Sequence, residues 1–400
     1  MNVTHPKGFV AAGVAAGIKQ NGKLDFAAVV NLGQNPVGAA VYTSNRAKAN
    51  PILWSESVDI ENTRAVVLNS GGANCFTGEF GYETTKQTAN RAAHLITERF
   101  GGELGETHPA QIQVCSTGLI GAGGADFRAA VLNGVECAIM QLASDSAAGD
   151  AAAQAIMTTD TVIKTAHIEG ENGYRIGAIA KGAGMLAPGL ATMLVVITTD
   201  ARLAPQELQQ ALEAAVGQTI NRLDSDGCMS TNDQVTLLSS GVSDADVDVT
   251  EFTRNLTAVC DSLAAQLQAD AEGASHTIDI TVTGAKSERD AEEVGRALAR
   301  NNLFKTAIFG NDPNWGRVLA AIGTTNAVFD PYKVDVSFNG VRLCSNGGPD
   351  RPVAECDLRP KHTLVEINLF AAVGDSSYTA TIRTNDLTTD YVHENSAYSS

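Results

Sequence analysis

Two hydrophobic periods interleave along this chain, and the switches between them mark its elements. Residues 64–69 (RAVVLN) and 111–115 (QIQVC) are short apolar runs closed by polar, glycine-containing turns, the pattern of buried strands. Residues 193–199 form a continuous β-branched run, as in a strand covered on both faces. Residues 276–284 alternate strictly, with Ile278, Ile280 and Val282 on one face and Thr277, Asp279, Thr281 and Thr283 on the other, which predicts a half-buried strand. Helical repeats lie between. Residues 127–143 and 204–219 predict helices, the second with Pro205 suited to a first turn. In 250–271, Phe252, Leu256, Val259, Leu263 and Leu267 recur at steps of three and four, an amphipathic helix. Ser287 with Asp290 marks another helix start, running to Arg300.

The last hundred residues predict a separate compact unit. Residues 333–338 alternate, Asn339-Gly340 supplies a two-residue hairpin turn, and 341–344 return. Residues 363–370 and 378–384 predict a second strand pair around Gly374-Asp375. Helices and hairpins are thus mixed in the manner of α+β layers rather than a clean βαβ series. The glycine-rich stretch 121–124 reads as a surface loop, and neither an internal repeat nor a long linker is visible.

Composition narrows the function classes. A chain of 400 residues, 44% hydrophobic, predicts two or three domains with a sizeable core. Its formal charge of −17 argues against nucleic acid and anionic membrane as partners, because both repel a negative surface. The N-terminal residues show no basic and apolar leader pattern, and the longest apolar stretch, near 190–197, is far short of the ~20 residues of a spanning helix. Seven scattered cysteines without a CxxC pair fit a reducing, cytoplasmic setting. Cys75 and Cys115 lie beside glycines, but small buried hydrophobes are the simpler reading of both. The seven histidines lack ligand spacing, so no metal is expected. Lys181-Gly182-Ala183-Gly184 does not have P-loop spacing, and 69–73 is not a dinucleotide fingerprint.

The segment with chemical promise is 181–200, KGAGMLAPGLATMLVVITTD. Two flexible turns feed an Ala191–Thr192 bond at the mouth of a buried strand. If that bond breaks, Thr192 gains an α-amino group with an unperturbed pKa of about 7.7–8, within reach of its own hydroxyl. Attacker and base would then sit on one residue, without a histidine. The break itself needs only an N→O acyl shift by the threonine hydroxyl and hydrolysis of the ester. On local pattern alone, a threonine at the head of a strand is an ordinary strand residue.

Beyond that segment, several motifs follow in order: Asn69-Ser70-Gly71-Gly72-Ala73-Asn74 with Thr77-Gly78, then Cys115-Ser116-Thr117-Gly118, then Met157-Thr158-Thr159-Asp160. Asp226 with Ser230-Thr231-Asn232-Asp233 comes next, then Gln268-Ala269-Asp270-Ala271-Glu272-Gly273 and Gly310-Asn311-Asp312-Pro313-Asn314-Trp315-Gly316-Arg317. The chain closes on Glu394-Asn395-Ser396-Ala397-Tyr398-Ser399-Ser400. Together with KGAGMLAP-x-LATML, this set closely resembles the ornithine acetyltransferase family of arginine biosynthesis. One departure is Gly189, where relatives often carry Asn or Ser.

The resemblance implies self-cleavage between Ala191 and Thr192, with Thr192 as nucleophile and its amine as general base. Thr192 would take acetyl from N2-acetyl-L-ornithine, and L-glutamate would take it from the acetyl-enzyme, a ping-pong transfer. Acetyl-CoA is an open second donor; no cofactor is implied. Thr117 and Gly118 match the oxyanion hole. Thr158, Lys181, Glu272, Asn395 and Ser400 match substrate contacts, with Thr192 itself. Bare sequence would read Lys181 as a solvated charge, Glu272 as a helix-end acid, and the last two as part of a frayed tail. Asp312, Trp315 and Arg317 are expected to serve structure or an interface. The implied architecture is a layered α/β sandwich like that of N-terminal-nucleophile proteins, with two intertwined fragments, 1–191 and 192–400. In it, 192–284 complete the main domain and 285–400 form a smaller C-terminal α/β subdomain. Two copies of each fragment would assemble. The alternative is a related N-terminal-nucleophile amidohydrolase or aminopeptidase, which would pass the acyl group to water.

Overall fold

The β-branched run after residue 192 forms the strand Leu194–Thr199, buried at every position, in the middle of a five-stranded sheet. The computed structural model describes residues 1–187, 193–373 and 376–397. The order of that sheet is Val37–Tyr42, Gln234–Ser239, Leu194–Thr199, Arg175–Lys181 and Lys164–Glu169. Leu194–Thr199 runs parallel to Gln234–Ser239 and antiparallel to Arg175–Lys181, with Leu194 opposite Lys181. A four-stranded sheet, ordered Phe9–Val14, Phe26–Asn31, Ala65–Gly72 and Ile112–Leu119, packs against it.

The period of two explains the layers. Leu194 and Val196 face the four-stranded sheet, meeting Val29, Val66 and Leu68, while Val195 and Ile197 face the opposite way. There they meet helices Pro205–Gln218 and Val249–Ala269, which bury Leu208, Leu212, Phe252, Leu256, Val259 and Leu263. The outer face of the four-stranded sheet is covered by Gly78–Leu104 and Ala125–Gln141. The result is helix, sheet, sheet, helix, the expected layered α/β arrangement. A strand with both faces buried must be apolar throughout, which is why the run at 194–197 shows no alternation. Truncating one of its large side chains to alanine would cost about 2–5 kcal/mol.

The remaining sheet has six strands, in the order Gly348–Pro349, Val341–Ser345, Asp335–Phe338, His362–Asn368, Thr277–Ala285 and Tyr378–Asn385. Helices Glu288–Ala299, Asn302–Phe309 and Trp315–Ile322 pack on it around Ile280, Val282, Val294, Leu298 and Ile382. Ser287 caps the first of these by accepting from Asp290 N, as its spacing predicts. Two sequence expectations need correction. The strands at 362–368 and 378–385 are not a hairpin pair: Thr277–Ala285 lies between them, parallel to the first and antiparallel to the second. That same strand belongs to the C-terminal sheet, so the main unit ends before it, near residue 276, and not at 284. The Gly374-Asp375 turn lies outside the described residues. Gln268 joins the two units, its side-chain amide donating to Ile278 O and Thr384 O, each at 3.0 Å. Arg317, in the motif at 310–317, donates to Leu303 O at 2.5 Å, and Asn314 caps the helix it starts, a structural role. Among the described residues no helix is long and apolar enough to cross a membrane.

Candidate active site

Thr117, Gly118, Thr158, Lys181, Glu272 and Asn395, six of the residues singled out from sequence, line one cavity. It lies where Arg175–Lys181 ends and Leu194–Thr199 begins, at the mouth of the central strand. Ala191, Thr192 and Ser400 lie outside the described residues, as does Gly189. Met193, directly after Thr192, is described: its backbone N–H donates to Asp233 Oδ1 at 3.0 Å. Asp233 is fully buried, and that burial raises its carboxyl well above the usual carboxylate range.

The turn carrying Thr117 and Gly118 ends the strand Ile112–Leu119. Gly118 has φ of +122°, and a Cβ there would lie 2.6 Å from the backbone of Gly71 and Gly72. Only glycine fits such a conformation and approach. Ser116 Oγ donates to Asn69 Oδ1 at 2.6 Å, and Asn69 in turn donates to Gly72 O at 3.0 Å. From the other side the Asn232 amide donates to Ala73 O at 2.7 Å and Ser116 O at 2.9 Å. The turn is therefore fixed from both flanks, the condition for a preorganised oxyanion site.

Thr158 and Lys181 are tied together by a buried charge network. Asp160 accepts from Thr158 N at 2.9 Å, Gly182 N at 2.6 Å and Lys164 Nζ at 2.8 Å. Lys164 also donates to Asp270 Oδ2 at 2.6 Å. Burial works against ionisation of Asp160, but Lys181 and Lys164 outweigh it, and with these hydrogen bonds they hold its pKa at about 2. Lys181 itself is 1% exposed, so burial lowers its pKa. Its Nζ donates to Thr117 Oγ1 at 3.3 Å.

The tail folds back to the cavity. Asn395, on helix Thr389–Ala397, donates to Glu272 Oε2 at 3.1 Å. Gly273 and Gly184 permit this: a Cβ on Gly273 would meet Tyr391 N at 2.2 Å, and one on Gly184 would meet Glu272 Oε2 at 2.5 Å. The fraying expected of a chain end therefore does not extend to Asn395. Ser230, Thr231 and Asn232 also line the cavity. Their motif carries no local sign of this, because nothing within 230–232 shows that Asn232 reaches Ala73 and Ser116. Cys75 and Cys115 are buried, and burial pushes the Cys115 thiol far up, so neither suits attack.

The arrangement offers donors at a fixed turn, a buried ammonium and a half-buried carboxylate around one strand mouth, which is suited to acyl transfer. The ArgJ family model matches residues 10–400. The chain is 52% identical to an arginine biosynthesis bifunctional protein ArgJ from Streptomyces coelicolor, with both chains covered in full. It is 47% identical to the protein of that name from Mycobacterium tuberculosis, covering 100% of this chain and 96% of that one. Among solved structures, an ornithine acetyltransferase from Mycobacterium tuberculosis complexed with ornithine is 42% identical, covers 48% of this chain and 96% of its own, and has a TM-score of 0.44. An arginine biosynthesis bifunctional protein from Bacillus halodurans is 32% identical, covers 50% and 97%, and has a TM-score of 0.45. Matched over nearly its whole length, and half-identical to relatives of the same length, this chain belongs to the ArgJ family.

Proposed function

We propose that this protein is a self-cleaving acetyltransferase that moves acetyl from N2-acetyl-L-ornithine to L-glutamate, with acetyl-CoA as a second donor. The observation that carries the reading is the convergence of Thr117, Gly118, Thr158, Lys181, Glu272 and Asn395 on one cavity, whose Lys181 pairs across the sheet with Leu194. It is supported by the relatives, whose name places them in arginine biosynthesis.

Cleavage at Ala191–Thr192 leaves a threonine whose amine takes the proton from its own hydroxyl as the oxygen attacks the acetyl carbon. The turn at Thr117 and Gly118 receives the developing alkoxide. Collapse of the intermediate expels the ornithine amine, which leaves with the proton, and glutamate reverses the sequence from the acetyl-enzyme. Glu272 is a partner for a substrate ammonium. Fragments 1–191 and 192–400 would stay joined because their strands share one sheet: Arg175–Lys181 pairs with Leu194–Thr199, and Val37–Tyr42 with Gln234–Ser239. Two copies of each fragment are proposed for the assembly. A cytoplasmic setting is supported by seven unpaired cysteines.

The test is direct. Purified protein should run as two bands near half of 41.6 kDa, the smaller-numbered residues ending at 191 and the second fragment reading Thr-Met-Leu-Val-Val. Incubation with acetylornithine and glutamate should yield ornithine and acetylglutamate. Free acetate as the main product would instead indicate a hydrolase, and one intact band with full activity would defeat the Thr192 mechanism.

A further inference from the structure

A second cavity opens at the junction of the main unit and the C-terminal one. Asp226 lines it from the first, and Arg300, Asn302, Lys305, Asp386 and Tyr391 from the second. Its volume of about 80 Å³ is several times the ~10–15 Å³ that one water requires. The acceptors in its wall are already engaged. Asp386 accepts from Ser275 N at 3.0 Å and His276 N at 2.9 Å, and it meets His276 Nδ1 at 2.8 Å. Asp226 accepts from Cys228 N at 3.1 Å and from the backbone N–H groups of Met185 and Leu186. Donors, by contrast, are left over. Lys305 is 4% exposed and donates to Ser225 O and, at 3.2 Å, to Thr384 Oγ1, which uses two of its three N–H bonds. Among the described residues the third N–H has no acceptor. Nor have the terminal nitrogens of Arg300, whose Nε donates to Asp224 Oδ2 at 2.7 Å, or the side-chain amide of Asn302.

We propose that this cavity is a second ligand site, which takes a small oxyanion, the carboxylate or phosphate group of its ligand, on Lys305, Arg300 and Asn302, and that its occupancy is felt at the acetyl-transfer cavity. Burial lowers the pKa of Lys305 to about 8, against the pull of Asp226, Asp224 and Asp386. A buried ammonium without a contact carboxylate is costly, and a bound anion relieves that cost. Those three carboxylates are formally balanced by Lys305, Arg300 and Arg296, so no net negative charge bars the anion. Two structures link the cavities. Asp226 holds the N–H of Met185, which has φ of +53° and lines the acetyl-transfer cavity. Tyr391 O accepts at 3.0 Å from the amide of Asn395, one helical turn on and in the wall of that same cavity. A ligand that orders Asp226 and Tyr391 therefore orders both of these walls, and ordering one site in advance favours binding at the other.

Calorimetry on the purified protein tests the site, with inorganic phosphate and malonate as separate probes. At least one should bind with Kd of about 1 mM or tighter, and which one binds tells a phosphate ligand from a carboxylate ligand. Lys305→Met and Asn302→Asp should each weaken it at least tenfold. Asn302 is exposed, so its variant keeps the test decisive if thermal melting shows that Lys305→Met does not fold. Saturating ornithine should tighten the probe about fivefold, the low end of usual coupling between sites. The bound probe should likewise lower KM for acetylornithine about fivefold in the parent and not in Asn302→Asp. Failure of both probes to bind, or binding that ornithine displaces and Asn302→Asp leaves intact, would overturn the site. Binding that changes neither ornithine affinity nor KM would overturn its link to catalysis. That link rests on the acetyl-transfer reading, whereas the binding measurements do not. A parent that binds the probe yet transfers no acetyl would defeat the proposed function and leave the second site standing.

Discussion

Asn395 donates its side-chain amide to Glu272 Oε2 across 3.1 Å, so a residue five positions before Ser400 completes the wall of a cavity built by strands far upstream. Glu272 Oε2 also closes against Gly184, on the segment leading to the Ala191–Thr192 bond. Losing the amide should loosen the carboxylate without unfolding its host helix, which buries no residue. Asn395→Ala is expected to raise KM for acetylornithine about three- to tenfold, the scale of one hydrogen bond, and to leave the melting temperature unchanged. Glu272→Gln should cost more, about 10–100-fold in kcat/KM, because the proposed charge-assisted contact to a substrate ammonium would be lost. Steady-state kinetics on both variants checks the ranking.

On the proposed mechanism, Thr192→Ala removes the attacking oxygen for both self-cleavage and transfer. The variant should run as one band and make no acetylglutamate. In the parent, kcat/KM should rise with pH through about 8, as the threonine amine loses its proton and becomes a base. A rate flat from pH 6 to 10 would remove the amine from that role.

Gly118→Ala places a Cβ 2.6 Å from the Gly71 and Gly72 backbone, at a φ of +122°. The expected cost is about 1–3 kcal/mol of stability, with a larger fall in kcat because the turn moves off its geometry. Gly217→Ala, in the helix Pro205–Gln218 with open space around it, serves as the control and should leave both readings intact.

Asp160 gives a pH prediction with a definite sign. Its folded pKa of about 2 lies below the ordinary 3.8, so its contribution is complete above pH 4 and is lost as pH falls from about 4 to 2. A shift of this size corresponds to about 2 kcal/mol. Asp160→Asn should lower stability by at least that amount at pH 7, since it also leaves Lys164 and Lys181 short of a partner. It should also flatten the acid limb of the stability curve, read by denaturant unfolding at pH 2.5, 4 and 7.

Sequence alone determined part of the elements and the candidate chemistry; strands such as Phe26–Asn31 and Val37–Tyr42 and the long helix Gly78–Leu104 were not marked by it. Hydrophobic period is a local property, so the strand at 277–285, the helix at 249–269 and the Ser287 cap were legible to within a residue or two. Motif resemblance marked Thr117, Gly118, Thr158, Lys181, Glu272 and Asn395, which one cavity gathers. What the tertiary structure decided was partnership. Period says which face of a strand is apolar but not which strand lies beside it, so Thr277–Ala285 could enter between two strands that local turns would have paired. The same holds for polar roles. Asn232, Asp160 and Lys164 carry ordinary polar side chains in the sequence; burial, by removing water as a partner, obliges each to bond to groups up to 159 residues away. The sign of a pKa shift follows from those enclosures, and no local pattern encodes it.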